Sequence, residues 1–401
     1  MPTAVISHQE SGIRQLVPAP NWAHCPKTTK ALVESKGQDK RFFWCAALCS
    51  ELKVRMRPSS LTPAWPTLSR AEKERLYAAD AAALRPVSRL PPARPAPAAL
   101  RLTQYNVQAL SYNRSCAATP AATAAGIGDL LLGTGSDVLV LQEFVLSPQG
   151  AWPLDKADEP LAHGLAQRLA AGGFVHQLLA LDQAYPTFVA SRLPLAPLPP
   201  PAASQHKLGG LCTAVRLRMR TAGGRAVEVL GCHLDYLSAE VRLVQARGLL
   251  ECVQSVDTSA TLLAADFNQP RQADYTAEEW GWIMAWREAQ GEGASDGVHE
   301  LLHGAGFACA HDAEGVDRNW PAGAPPPPTH WTGTTIDRAY CSSSSGGLAC
   351  VGLYVHPSGL SDHHAVVSDW CWAEKEGGEG EEGEEGGGSG GGAAAVDLPG
   401  A

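Results

Sequence analysis

Residues 261–268 read Thr-Leu-Leu-Ala-Ala-Asp-Phe-Asn. A short apolar run ends abruptly on Asp266, and Asn268 follows two residues later. The same figure recurs in both directions along the chain. The run at 102–107 carries Tyr105-Asn106, and 138–142 leads from Gln142 into Glu143. The run at 227–232 leads into His233-Leu234-Asp235. Further runs lie at 213–217 and 336–340, the last containing Asp337. Helical patterns at 124–132, 161–171, 239–256 and 277–289 separate several of them. Strands alternating with helices define an α/β class.

An apolar fraction of 45% lets most of this 401-residue chain bury a core. No apolar run approaches the roughly 18 residues a membrane-spanning helix needs. The first residues lack the basic start and apolar stretch of a secretory signal. Eleven thinly spread cysteines fit a reducing compartment better than a disulfide framework. The expectation is an intracellular protein, nuclear or cytoplasmic, with organelle targeting open beside it.

The net charge of -9 is distributed unevenly. Residues 1–98 hold 15 Lys/Arg against 7 Asp/Glu, a balance of +8. Residues 373–401 hold 7 Glu, Asp397 and one Lys, or -7, which leaves -10 for residues 99–372. Three segments follow: a basic N-terminal extension (1–98), an acidic α/β domain (99–372) and a Glu/Gly-rich tail (373–401). The tail has little to bury and repels itself, so disorder is expected there. Ser69 to Glu72 forms a capping box that opens a helix to about Leu84. Proline-rich residues 85–98 read as a linker.

Sites in α/β sheets form beyond the carboxyl ends of strands, where loops converge. Asp, Glu, His and Asn gathered there suit a hard divalent cation together with acid/base groups. Taken singly, a strand-terminal Asn or Asp is usually a turn or cap residue, and a lone His233 is more often a satisfied core histidine than a catalyst. Their order and number raise them above that reading.

The set Tyr105-Asn106, Gln142-Glu143, Ser191-Arg192-Leu193-Pro194-Leu195, His233-Leu234-Asp235, Asp266-Phe267-Asn268, Thr335-Ile336-Asp337 and Ser361-Asp362-His363 resembles the endonuclease/exonuclease/phosphatase (deoxyribonuclease I-like) superfamily. The resemblance spans nearly all of residues 99–372. It implies a four-layer sandwich, with two packed β-sheets flanked by helices. It also implies Mg2+, with Mn2+ as a substitute, held by Glu143 with Asn106 and Asp362 in support. Asp266 would orient or deprotonate the attacking water, and Asn268 would hold that water and a phosphate oxygen. His363, fixed by Asp337, would contact the phosphate and act in acid/base catalysis. His233 would stabilise phosphoryl charge, Arg192 would bind substrate, and His364 is read as structural. Two departures are visible: Ala265 stands where the family usually has Gly, and Gln108 stands where two branches carry Asp.

Trp280, Trp282 and Trp331 flank these residues. Aromatic faces stack on bases or sugars. Burial in the core suits Trp280 and Trp282 better, and substrate contact is expected of Trp331. In the extension, His24, Cys25, Cys45 and Cys49 could supply four Zn2+ ligands within 22–57, a stretch that resembles a degraded GRF-type zinc finger. Free cysteines in a small extension explain the same letters. Lys36, Lys40, Arg41, Lys53, Arg55 and Arg57 surround Phe42, Phe43 and Trp44, a mixture suited to a nucleic-acid partner.

The leading expectation is a Mg2+-dependent phosphodiesterase, a nuclease cleaving DNA or RNA by in-line water attack. Hydrolysis of inositol phosphates or phospholipid headgroups keeps the chemistry and changes the substrate. A non-catalytic binding protein on the same fold is the third reading, and the intact residue set counts against it.

Overall fold

A computed structural model describes residues 3–6, 15–18 and, with short interruptions, 98–372. The Zn2+-ligand expectation (His24, Cys25, Cys45, Cys49), the capping-box helix, the linker up to residue 97 and the acidic tail lie outside the described residues. In chain order the strands are β1 (Thr3–Ile6), β2 (Gln15–Pro18), β3 (Leu100–Asn106), β4 (Val138–Gln142), β5 (His176–Leu179), β6 (Phe188–Ser191), β7 (Gln205–Gly209), β8 (Cys212–Arg220), β9 (Ala226–His233), β10 (Thr261–Asp266), β11 (Phe307–Cys309), β12 (Asp317–Arg318), β13 (Asp337–Ser342), β14 (Leu348–His356) and β15 (Ala365–Trp372). The helices are α1 (Pro120–Gly133), α2 (Glu159–Ala171), α3 (Ala239–Gln254), α4 (Ala277–Ala289) and α5 (Gly297–Gly304).

Two mixed sheets carry the molecule. One has seven strands in the order β12-β14-β15-β3-β4-β6-β5, the other six in the order β11-β13-β10-β9-β8-β7. Strands β1 and β2 form a separate antiparallel pair. Successive side chains on a strand point to opposite faces, and that alternation sorts the core into three layers. Leu100 and Leu102 on β3, Val138 and Val140 on β4, Val227 and Val229 on β9, Leu262 and Ala264 on β10, and Ala339 and Cys341 on β13 form one buried cluster between the sheets. The intervening residues Tyr105, Leu139 and Leu141 pack outward with Ile127 and Leu131 of α1 and Leu165 and Leu169 of α2. Leu230, Cys232 and Leu263 pack outward on the other side with Ala246 and Leu249 of α3 and Leu302 of α5. The result is the expected four-layer sandwich.

Local signals explain the helices. Thr119 caps α1, its hydroxyl accepting from the Ala122 amide at 3.2 Å, and Pro120 occupies the first turn where no amide is needed. Gly231 on β9 faces the opposite sheet at close range. A Cβ there would lie 2.6 Å from Val140 and 2.9 Å from Val189 of the opposite sheet. Among the described residues no helix is long and apolar enough to cross a membrane.

Candidate active site

The inter-sheet face of five strands follows one rule: apolar residues at alternate positions, then a polar residue at one common end. On β3 the series is Leu100, Leu102, Gln104, Asn106; on β4 it is Val138, Val140, Gln142; on β9 it is Val227, Val229, Gly231, His233; on β10 it is Leu262, Ala264, Asp266. β13 runs the other way and so begins with Asp337, which pairs in register with Asp266. Asn106 pairs with Gln142, and Asp266 pairs with His233. The candidate site is the polar end of the inter-sheet core.

Hydrogen bonds join the two sheets there. Asn106 Nδ2 donates to Glu143 Oε1 at 3.2 Å and to Asp266 Oδ2 at 3.1 Å. The Asn268 amide donates to Asp266 Oδ1 at 2.9 Å, so both oxygens of that buried carboxylate are oriented. Asn268 Nδ2 donates to the Leu234 carbonyl at 3.0 Å and lies 2.9 Å from His233 Nε2. Glu143 and Asn268 both adopt left-handed backbone, with φ of 55° and 50°. Such conformations cost free energy for residues with a Cβ and gather at functional sites.

The loop from β14 to β15 supplies the remaining groups. Ser361 Oγ donates to the Asn106 carbonyl at 2.7 Å and tethers that loop to β3. His363 Nδ1 lies 2.8 Å from Asp337 Oδ2, while its Nε2 lies 3.6 Å from Asp266 Oδ2 and 3.9 Å from Asp362 Oδ1. Burial alone would favour the neutral imidazole. The charges of Asp337, Asp266 and Asp362, with the Asp337 hydrogen bond, prevail and push His363 up to about 10. Burial would raise Asp337, yet the His363 charge and bonds from His363, Thr329 and Gln104 hold it below its usual range. Asp362 is likewise held low against burial by His330 and His363. Burial raises Glu143.

The structure thus brings together Asn106, Glu143, His233, Asp266, Asn268, Asp337, Asp362 and His363. It does not bring Arg192 to them. Arg192 follows Ser191, which pairs with Val138 at the far end of β4 from Glu143, and its guanidinium lies 4.3 Å above the Phe174 ring. The motif containing it lies at the opposite end of the sheet, where the guanidinium packs on that ring. Trp331 and the Trp282 side chain lie outside the described residues. Trp280 is half-buried and stacks on Tyr275. His364 is buried, its amide donates to the Thr329 carbonyl at 2.7 Å, and burial lowers it to about 3, which fits a structural role.

His330 is the residue the sequence reading passes over. It forms an isolated bridge with His363, its ring stands 4.5 Å from the His363 ring, and its Nε2 lies 3.9 Å from Asp362 Oδ2. No strand end announces it; its only signal is a place beside Trp331 in the loop before Asp337.

The donor set fits a hard cation. Glu143, Asp266, Asp337 and Asp362 gather their carboxylates here, and no lysine or arginine among the described residues pairs with any of them. Among the described residues, the partly compensating groups beside them are histidines. The triads His330-Asp362-His363 and Asp266-Asp337-His363 each place three donor atoms within 4.8 Å of one another. His363 is engaged with Asp337, so oxygen donors on Glu143, Asn106 and Asp362 suit a hard divalent cation better than that imidazole does.

A sandwich of two mixed sheets with an acidic, histidine-bearing site at one end of their interface defines a class of phosphoesterase. A profile of the Endonuclease/Exonuclease/phosphatase family matches residues 103–363, and the chain belongs to that family of metal-dependent phosphoesterases. No curated protein matches it by sequence. Among solved structures it is similar to an endonuclease/exonuclease/phosphatase from Beutenbergia cavernae DSM 12333, at 17% identity over 68% of this chain and 71% of that one, TM-score 0.47. It is also similar to a humanized D. rerio TDP2 carrying 14 mutations (14% identity, 68% and 98% covered, TM-score 0.43). A third is a mannosyl-6-phosphatase from Bacteroides thetaiotaomicron VPI-5482 (12%, 68% and 100%, TM-score 0.47). These likenesses select no substrate.

Proposed function

We propose that this phosphoesterase is a Mg2+-dependent phosphodiesterase that hydrolyses DNA or RNA by in-line attack of water. The observation that carries the reaction class is the Asp337–His363 pair, with the His363 Nε2 edge beside Asp266 and Asp362. In this reading Asp266, oriented through both oxygens, accepts the proton of the attacking water while the water oxygen bonds to phosphorus. The P–O bond to the leaving group breaks, and the leaving oxygen takes its proton from solvent water, to which Asp266 then returns the one it accepted. His363 Nε2–H donates to the phosphoryl group, and Asp337 holds the ring in one orientation throughout. Asn268 and His233 line the same cluster and serve the phosphoryl oxygens. Mg2+, held by Glu143 and Asn106 with Asp362 in support, would supply Lewis-acid stabilisation of charge on those oxygens.

Nucleic acid is favoured as substrate by the basic, aromatic N-terminal extension, whose charge of +8 stands against -10 for the catalytic domain. The test is cleavage of end-labelled single-stranded DNA and poly(A) RNA with and without magnesium. Magnesium-dependent products, absent with Asp266→Asn, are expected. A folded, magnesium-binding protein that leaves both polymers intact would overturn the nucleic-acid reading and redirect the search to inositol phosphates and phospholipid headgroups.

A further inference from the structure

Gln104 lies one step below the site on β3, at the point where the inter-sheet face turns from Leu100 and Leu102 to polar groups. It is completely buried. Its Nε2 donates one proton to Asp337 Oδ1 at 2.7 Å and the other to Gln142 Oε1 at 2.9 Å. The first bond crosses from the seven-stranded to the six-stranded sheet. Asp337 is thereby held at both oxygens, Oδ1 by Gln104 and Oδ2 by His363 Nδ1 at 2.8 Å.

The amide has only one workable orientation. Turned over, its carbonyl oxygen would face an ionised carboxylate and the Gln142 oxygen together. Held as it is, Gln104 Oε1 and Gln142 Nε2 are buried without a hydrogen-bond partner. Buried polar atoms in that state carry a desolvation cost that two apolar side chains would avoid. Leucines continuing the series of Leu100 and Leu102 would pack the sheets without it. The arrangement therefore makes sense through what the Nε2 group does for Asp337.

We propose that Gln104 is a positioning residue. It fixes the Asp337 carboxylate across the sheet interface, so that Asp337 in turn aims the His363 Nε2 edge at the scissile phosphate. The proposal rests on the hydrolase reading above. It adds a member of the seven-stranded sheet to a dyad otherwise built from β13 and the β14–β15 loop. Supporting partners of this kind typically contribute about ten- to hundredfold in activity.

The test uses the full chain, with bis(p-nitrophenyl) phosphate and magnesium as the activity probe. Gln104→Met, which keeps length and loses both N–H donors, is expected to lower kcat about ten- to hundredfold with KM within about twofold. In an Asp337→Asn background the same change should alter kcat by less than about threefold, because the partner it serves is already gone. Losses that multiply in the double variant would overturn the proposal. A second readout needs no turnover: the His363 Nδ1–H resonance, shifted far downfield by Asp337, should move upfield or broaden in Gln104→Met. An unchanged resonance overturns the positioning role, whereas wild-type protein that shows the resonance and hydrolyses no ester counts against the hydrolase reading alone. If Gln104→Met does not fold, Gln104→Asn is read in its place. It draws the N–H groups back by one methylene, and a full wild-type rate from it overturns the proposal.

Discussion

Asp337 and Arg338 are neighbours on β13 and point to opposite faces of one sheet, each into a buried charged cluster. On the Arg338 side the charges are matched. Arg338 pairs with Asp274, Arg271 pairs with Asp274 at 2.6 Å and also with Asp312, and the histidines alongside are neutral. Burial and the Arg338 charge lower His299 to about 3 and press His311 well below its usual value. On the Asp337 side carboxylates outnumber cations, and the same residue type responds in the opposite direction, with His363 pushed up to about 10. One cluster has its electrostatics closed by protein groups alone. The other keeps an excess of negative charge, which a cation and a phosphate group can complete.

The sharpest way to break this contrast is to neutralise one carboxylate on each side. Asp266→Asn is expected to lower magnesium-dependent turnover by about 10²–10⁴-fold, the range for a lost general base, with the melting temperature kept or raised. Asp274→Asn should do the reverse: turnover within about tenfold, and a loss of about 3–5 kcal/mol in urea unfolding, because Arg338 is left buried without its partner. Equal loss of turnover in both variants would erase the distinction.

The sequence announces the Asp337 cluster far better than the Arg338 cluster, for a physical reason. Polar side chains at strand ends interrupt apolar alternation, so Asn106, Glu143, His233, Asp266 and Asp337 are visible as polar letters at the ends of apolar runs. Helix α4 was expected over the residues it occupies, and α2 and α3 to within two residues. β14 and β15 were not anticipated. Their alternation is broken by a bulge between Cys350 and Gly352 and by Asp369, whose place in a strand makes sense only once Arg101 of β3 is seen at 2.6 Å. Arg192 lies apart from the cluster because a motif in the right order can close the other end of a sheet. His330 and Gln104 stayed hidden because their partners lie 33 and 233 residues away. Long-range pairing leaves no local periodicity to read.

Magnesium should separate the clusters without any substrate. With ion at about 100 times its Kd, linkage predicts about 2.7 kcal/mol of added stability, read as a rise in melting temperature. Glu143→Gln is expected to abolish most of that rise, while His299→Gln lowers the starting stability and leaves the rise intact. A rise that survives Glu143→Gln would move the cation away from Glu143.

The smallest effect is a pH slope, and its sign is opposite for the two clusters. His299 and His311 stay neutral in the folded protein while their unfolded counterparts take up protons below about pH 6.5. Their contribution is complete above that pH and is lost as pH falls toward about 3 for His299. Each fully shifted imidazole removes about 1.4 kcal/mol per pH unit across that window. Asp274, held near 2 against burial by Arg338 and Arg271, adds its own loss only below the usual 3.8. His363 has a raised folded value, so its contribution is complete below pH 6.5 and fades as pH climbs toward about 10. Urea midpoints without magnesium should therefore fall on both sides of neutrality. His299→Gln should flatten the acid limb by about one imidazole's share while leaving the alkaline limb in place, and a variant that flattens both limbs would show that the two clusters act as one.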